Sequence, residues 1–166
     1  MYMNVQLRIM TKELSRQFHK TYENDPDLFM DMSKYQPYIY SAEQSDAIVD
    51  RYERLGRVYL AIMLDNDPIG EVILKHIDWK KKHCTLGISM RSDEYKNKGY
   101  GTKAEILTLS YAFNELGMET VFADAILKNT RSQHVLKKAG FVETHCDEVF
   151  RYYRCDNEHW SVPEEQ

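Results

Sequence analysis

Tyr95-Lys96-Asn97-Lys98-Gly99-Tyr100-Gly101-Thr102 decides how this chain is read, because of what stands on either side of it. Residues 84–90, Cys84-Thr85-Leu86-Gly87-Ile88-Ser89-Met90, read as a strand, and an amphipathic run over 102–116 reads as a helix. A basic, glycine-bearing loop between a strand and a helix suits an anionic ligand. The first-turn N–H groups have no intrahelical partner, and the helix dipole favours negative charge there. Gly99 and Gly101 let the backbone turn sharply and come close to that ligand. The loop lacks the glycine spacing and the Lys-Ser/Thr pair of a Walker loop. It is not a dinucleotide fingerprint either, since Ala104 stands where that motif needs its third glycine. What remains is a loop short enough to embrace one pyrophosphate at a helix start.

Working outward, residues 5–10 alternate as an opening strand and 11–22 read as a helix, which Asn24-Asp25-Pro26-Asp27 breaks. Residues 28–40, rich in Met and Tyr, fit neither period. Ser41 with Gln44 matches a capping box, so a helix is expected to about residue 55. Residues 57–64 and 69–77 form a hairpin around Asp65-Asn66-Asp67-Pro68, and 78–82 is a second polar turn. Beyond the long helix, 120–125 is a strand. Residues 129–139 are a short helix that Gly140 ends in a left-handed cap, and 141–145 and 149–155 are two last strands. The order predicts an α+β fold, a single domain over 1–156 with a polar, loosely held tail over 157–166. Its sheet is expected to be mixed, mostly antiparallel, of six to seven strands flanked by helices. The two strands around the long helix pair in parallel if they are neighbours.

A length of 166 residues fits one domain with a sizeable core. The net charge of -4 argues against a broad nucleic-acid face. Three Cys make no disulfide framework, and the six His have no compact ligand spacing, so no metal is expected. Cys84 reads as a buried thiol. The start, Met1-Tyr2-Met3-Asn4, lacks a leader pattern and no stretch is apolar enough to span a bilayer, so no membrane contact and a reducing, cytoplasmic setting are expected.

A second motif sharpens the first. Asn129-Thr130-Arg131-Ser132 opens the short helix that ends in Ala139-Gly140-Phe141. Together, Lys96-x-x-Gly99-x-Gly101 and Asn129…Gly140-Phe141 resemble the acyl-CoA loop and the following block of the GNAT superfamily of N-acetyltransferases. The resemblance covers residues 57–156 well, and Leu7-Arg8-Ile9-Met10-Thr11 is also typical. It implies that Ile88, Ser89 and Met90 offer backbone hydrogen bonds to the pantetheine arm of acetyl-CoA. It implies that Lys96, Asn97, Lys98, Gly99, Tyr100, Gly101 and Thr102 receive the pyrophosphate. The strand over 120–125 would splay from its neighbour, and Asn129 would bond the pantetheine.

Two positions depart from the family. Lys96 replaces the usual Gln or Arg, keeping charge but losing the planar fork. Leu136 stands where many relatives carry the tyrosine that protonates the leaving thiolate. Ser132, one turn earlier, can donate a hydrogen bond to the sulfur, or serve as a helix-start residue bonding local backbone. Glu71, in the neighbouring strand with Ile73 on its face, is the candidate base; its alternative is a charged residue on the sheet surface. Asp124 is a weaker candidate. Tyr35, Tyr38 and Tyr40 can embrace an ammonium group or simply form a packed lid. The resemblance implies direct attack by an amine-bearing small molecule or a peptide or protein N-terminus, with the ribosomal-protein alanine and polyamine enzymes as the most similar subgroup, and a homodimer as an open state. A non-catalytic acyl-CoA-binding module and a nucleotide-binding protein stay open beside it.

Overall fold

A computed structural model describes residues 4–29 and 31–164; the Met1-Tyr2-Met3 start, Met30 and the last two residues lie outside them. The strands are β1 (Val5–Ile9), β2 (Val58–Leu64), β3 (Asp67–Asp78), β4 (His83–Met90), β5 (Thr120–Ile126), β6 (Val142–Cys146) and β7 (Phe150–Asp156). The helices are α1 (Lys12–Lys20), α2 (Ala42–Arg54), α3 (Tyr100–Asn114) and α4 (Thr130–Ala139). Among the described residues the strands make one sheet in the order β1-β2-β3-β4-β5-β7-β6. Only β4 and β5 are parallel, joined through α3; every other neighbouring pair is antiparallel. The expected α+β fold with a mixed, mostly antiparallel sheet is therefore the fold observed.

Period-two alternation sorts the side chains onto two cores. Val72, Leu74, Cys84, Leu86, Val121 and Ala123 face Ala104, Leu109, Ala112 and Phe113 of α3 and Leu136 and Ala139 of α4. Tyr59, Ala61, Met63 and Ile73 face Leu14 of α1 and Ile48, Val49 and Tyr52 of α2. β2 is covered on both faces, and its central residues Tyr59 to Met63 are all buried. Cys84 is fully buried, which pushes its thiol up to about 11.

Local chemistry sets the helix ends. Thr11 and Ser41 each accept a first-turn amide, from Leu14 and Gln44 respectively. The long helix begins two residues before the expected 102, because Gly99 at φ +82° turns the chain directly into Tyr100. The expected break and the segment after it hold one-turn 3-10 helices, at Pro26–Leu28 and Met32–Lys34, flanked by extended Asp25, Phe29, Asp31 and Tyr35.

The expected loose tail needs correction at Trp160. Its indole Nε1 donates to the Ala139 carbonyl at 2.9 Å, and its ring sits 5.5 Å from that of Phe113. An aromatic of this size gains more by covering the ends of α3 and α4 than by staying in water. Gly140 makes room for it: its φ is +113°, and a Cβ there would lie 2.7 Å from the Trp160 ring. Gly140→Ala is therefore expected to cost about 2 kcal/mol or more through left-handed strain and the clash. Urea unfolding measures it, and a change under about 0.5 kcal/mol would remove this account.

Candidate active site

The parallel pair positions the site by failing to stay paired. β4 and β5 are in register only from His83↔Thr120 to Leu86↔Ala123, although both strands continue. Beyond that point the sheet opens between Gly87–Met90 and the end of β5. A cavity of about 940 Å³ lies there, walled by β4, the loop into α3, α4 and the 22–34 segment.

Ile88, Ser89 and Met90 line the cavity from β4; Lys96, Asn97, Gly99, Gly101 and Thr102 line it from the loop and the first turn of α3. Asn129 and Ser132 line it from α4. Lys98 and Tyr100 do not: Lys98 is exposed, and Tyr100 leans on the core. No side chain caps the start of α3, so its first-turn N–H groups are not taken up by a capping side chain. The approach to the loop is held by Arg91, which pairs with Asp67 at 2.6 Å and stacks on the Tyr95 ring at 4.7 Å. Asn129 caps α4, its Oδ1 accepting from the Ser132 N–H at 3.1 Å. Its amide nitrogen has no such duty. Gln133 ties α4 to the end of β5 through the Ile126 and Leu127 carbonyls. Leu136 is buried in the core and cannot reach the cavity as a proton donor.

Lys96 is more enclosed than the sequence suggests. Its ammonium meets Asp25 at 3.1 Å and Asp93 at 2.8 Å. Asp25 also meets Arg131 of α4 at 3.4 Å. Burial opposes ionisation of Asp25, but the Lys96 bond, the Asp27 amide and the two cations outweigh it and hold the carboxyl low. The Lys128 ammonium reaches the Phe29 carbonyl nearby. Asp25 and Phe29, both on the cavity wall, are thereby fastened to the loop into α3 and to the start of α4.

Glu71 lies outside this cavity wall, directly opposite Ser89 in the β3–β4 register. That register puts both side chains on the α1–α2 face. Tyr59 donates its phenol proton to Glu71 at 2.5 Å. Burial pushes the Glu71 carboxyl above its usual range, and the Tyr59 bond offsets part of the rise. Its charge also reaches Tyr38 and Tyr52, raising both phenols after the larger effect of burial. The Tyr38 hydroxyl has no partner among the described residues. Beside it sits His19, buried, with Nδ1 at 2.9 Å from the Ser15 carbonyl and its ring 5.8 Å from that of Tyr38. A carbonyl only accepts, so Nδ1 carries the proton, and burial keeps the ring neutral by lowering its pKa. Tyr35 pairs instead with Phe29, and Asp124 is exposed on β5.

Sequence reasoning missed His19, and it missed Tyr59, Asp25 and Arg131, whose partners lie on other elements of the chain. It also missed Glu105, for which a signal exists. Glu105 shares the stripe Gly101, Ala104, Thr108, Ala112, so an acidic residue interrupts the buried face of α3. Glu105 is fully buried and lines the cavity, and neither carboxyl oxygen has a partner among the described residues.

A family model described as the acetyltransferase (GNAT) domain matches residues 4–142, most of the chain. The chain belongs to the GNAT acetyltransferase family, whose acyl donor is acetyl-CoA. Among solved structures, a probable acetyltransferase is 18% identical, with 95% of each chain covered and a TM-score of 0.77. The spermidine N-acetyltransferase from Vibrio cholerae, in complex with CoA and spermine, is 16% identical over 93% of this chain and 96% of that one, with a TM-score of 0.76. A GNAT-family acetyltransferase from Bacillus anthracis is 19% identical over 96% and 100%, with a TM-score of 0.73. At these identities the likeness is one of fold. No curated protein sequence matches the chain. Among the described residues no helix is long and apolar enough to cross a membrane, and no group of His, Cys, Asp and Glu is arranged to hold a metal ion.

Proposed function

We propose that the chain acetylates the primary amine of a small cationic molecule, with the acyl donor in the β4–β5 opening and the amine on the Glu71 face. The observation that carries this is the placement of a half-buried carboxyl, Glu71, opposite Ser89 on the strand that walls the donor cavity. The residues present fit the donor: a left-handed glycine, free first-turn amides, and an unpaired length of β4 that matches a pantetheine arm. When bound, the donor supplies an acyl thioester.

The chain's own residues do the rest. The amides of 97–102 bind phosphate, and those of Ile88 to Met90 orient the arm and polarise the thioester oxygen. An alkyl amine attacks only when neutral, and Glu71 takes its proton. A carboxyl with a raised pKa is a stronger base than an exposed one, and the attraction of an ammonium group keeps it ionised when the substrate arrives. Tyr38 presents its ring to the cation. Ser132 stands on the cavity wall to bond the departing sulfur. In this arrangement Tyr59 holds the Glu71 carboxylate in place.

Acetyl-CoA consumption against polyamines, simple alkyl amines, aminoglycosides and peptides with free N-termini tests the proposal, with mass spectrometry of the products. Turnover confined to small polycations supports it. Turnover of peptides alone would move the acceptor to protein N-termini. CoA binding without any turnover would leave a binding module.

A further inference from the structure

A carboxylic acid with no partner is costly to bury, so Glu105 demands a reason. Helical side chains lean toward the N-terminus of their helix, so Glu105 leans over the turn that holds Gly101 and Thr102. Those two residues line the same cavity. α4 approaches closely here: a Cβ on Gly101 would lie 3.8 Å from Val135 Cγ1.

We propose that Glu105 is a donor-binding residue that works as a neutral acid, giving its proton as a hydrogen bond to the bound CoA moiety. It rests on the reading of this cavity as the donor site. The phosphates sit at the start of the same helix, and an ionised Glu105 one turn below them would repel them. A protonated one offers a donor where the protein supplies no other use for it. CoA binding is therefore linked to proton uptake, and it weakens as pH rises through the range where Glu105 ionises.

The charged groups around Glu105 do not change this. Lys96 precedes its helix, and α4 brings Arg131, His134 and Lys138 to the cavity. The 22–34 segment brings Glu23, Asp25, Asp31 and Lys34. β4 turns only the Cys84 thiol to the α3 face, while His83, Arg8 of β1 and Asp124 of β5 lie on the other. None of them bonds Glu105, and burial alone holds its carboxyl well above the usual range. The sign for stability follows. Below the ordinary carboxylate pKa the group is neutral in both the folded and the unfolded chain. Above it the unfolded chain ionises while the buried acid keeps its proton, so Glu105 removes stability progressively as pH rises toward its folded pKa.

Calorimetric titration with CoA from pH 6 to 9 tests the proposal on wild type, Glu105→Gln and Glu105→Leu. The ligand and every side chain other than that of residue 105 are the same in all three, so differences between them report on Glu105. Glu105→Gln keeps a donor and is expected to bind as wild type does at pH 6 but to lose less affinity by pH 9. Glu105→Leu is expected to bind about 10-fold more weakly at pH 6, the loss of one hydrogen bond to a charged group. It should also melt at a higher temperature than wild type at pH 8, a readout independent of any ligand. Equal pH slopes in wild type and Glu105→Gln, or undiminished binding by Glu105→Leu, overturn the proposal while leaving the cavity as the donor site. A wild type that fails to bind CoA overturns both.

Discussion

Gly99→Val is expected to weaken CoA binding by at least about 100-fold. Gly99 sits at φ +82°, immediately before the first helical residue of α3. A β-branched residue resists that region more than any other class, at about 1–2 kcal/mol or above. The chain escapes by turning the loop, and this swings the first-turn amides away from where a phosphate would meet them. Losing two charge-assisted hydrogen bonds of about 1.5 kcal/mol each already gives the stated factor. Gly101→Ala separates strain from access. Its φ is not in the left-handed region and its new Cβ would make only an ordinary contact with Val135. That variant should fold as wild type does and bind CoA more weakly only in so far as the ligand itself approaches Gly101. Calorimetry on both variants measures these effects, and wild-type affinity in Gly99→Val would show that the phosphates bind elsewhere.

Glu71→Gln should lower kcat by about 100- to 1000-fold, within the range that general-base catalysis supplies. An amide keeps the shape and a hydrogen bond to Tyr59, so the fold and CoA affinity are expected to persist. The pH profile carries more information than the rate. A base must be ionised, so wild-type activity rises with pH through the Glu71 pKa, which burial has moved above the usual carboxylate range. The Glu71→Gln variant loses that limb. Tyr59→Phe moves it: the Tyr59 bond stabilises the carboxylate, so its removal raises the Glu71 pKa and shifts the limb to higher pH. An unchanged rate and profile in Glu71→Gln would assign the proton transfer to another group, with His19, buried beside Tyr38, as the candidate.

Much of this was legible in the sequence, for physical reasons that differ by residue. Local signals read well: Ser41 with Gln44, Asn129 opening α4 and Gly140 ending it are short-range backbone chemistry, and each cap stands where expected. The strand alternation around Glu71 gave the right two faces, since the period of a strand is fixed by its geometry. What was not legible is long-range. Asp25 meets Lys96 and Arg131 across 71 and 106 residues, and no local pattern announces such a partner. Tyr59 and Glu71 meet across one hairpin, yet 59 and 71 are not register partners; they touch because the Tyr is long enough to reach diagonally. Trp160 lay in a segment whose polarity outweighed a single aromatic. Lys96, read as a phosphate ligand, lines the cavity with both of its nearest carboxylates already bonded to it.

The early end of the β4–β5 ladder has a consequence for how the protein coexists with other chains. A strand with unpaired N–H and C=O groups is a template for any neighbour's strand, and sheets normally keep such edges short or charged. Here an unpaired stretch lies in the middle of the sheet, at Gly87–Met90. α3 and α4, with residues 22–29 and 31–34, wall the cavity it faces, so a second backbone would have to bring its side chains in past them. A thin, amide-bearing arm without side chains has none to bring. The protein thus keeps an exposed-edge chemistry for a narrow ligand while denying it to aggregation.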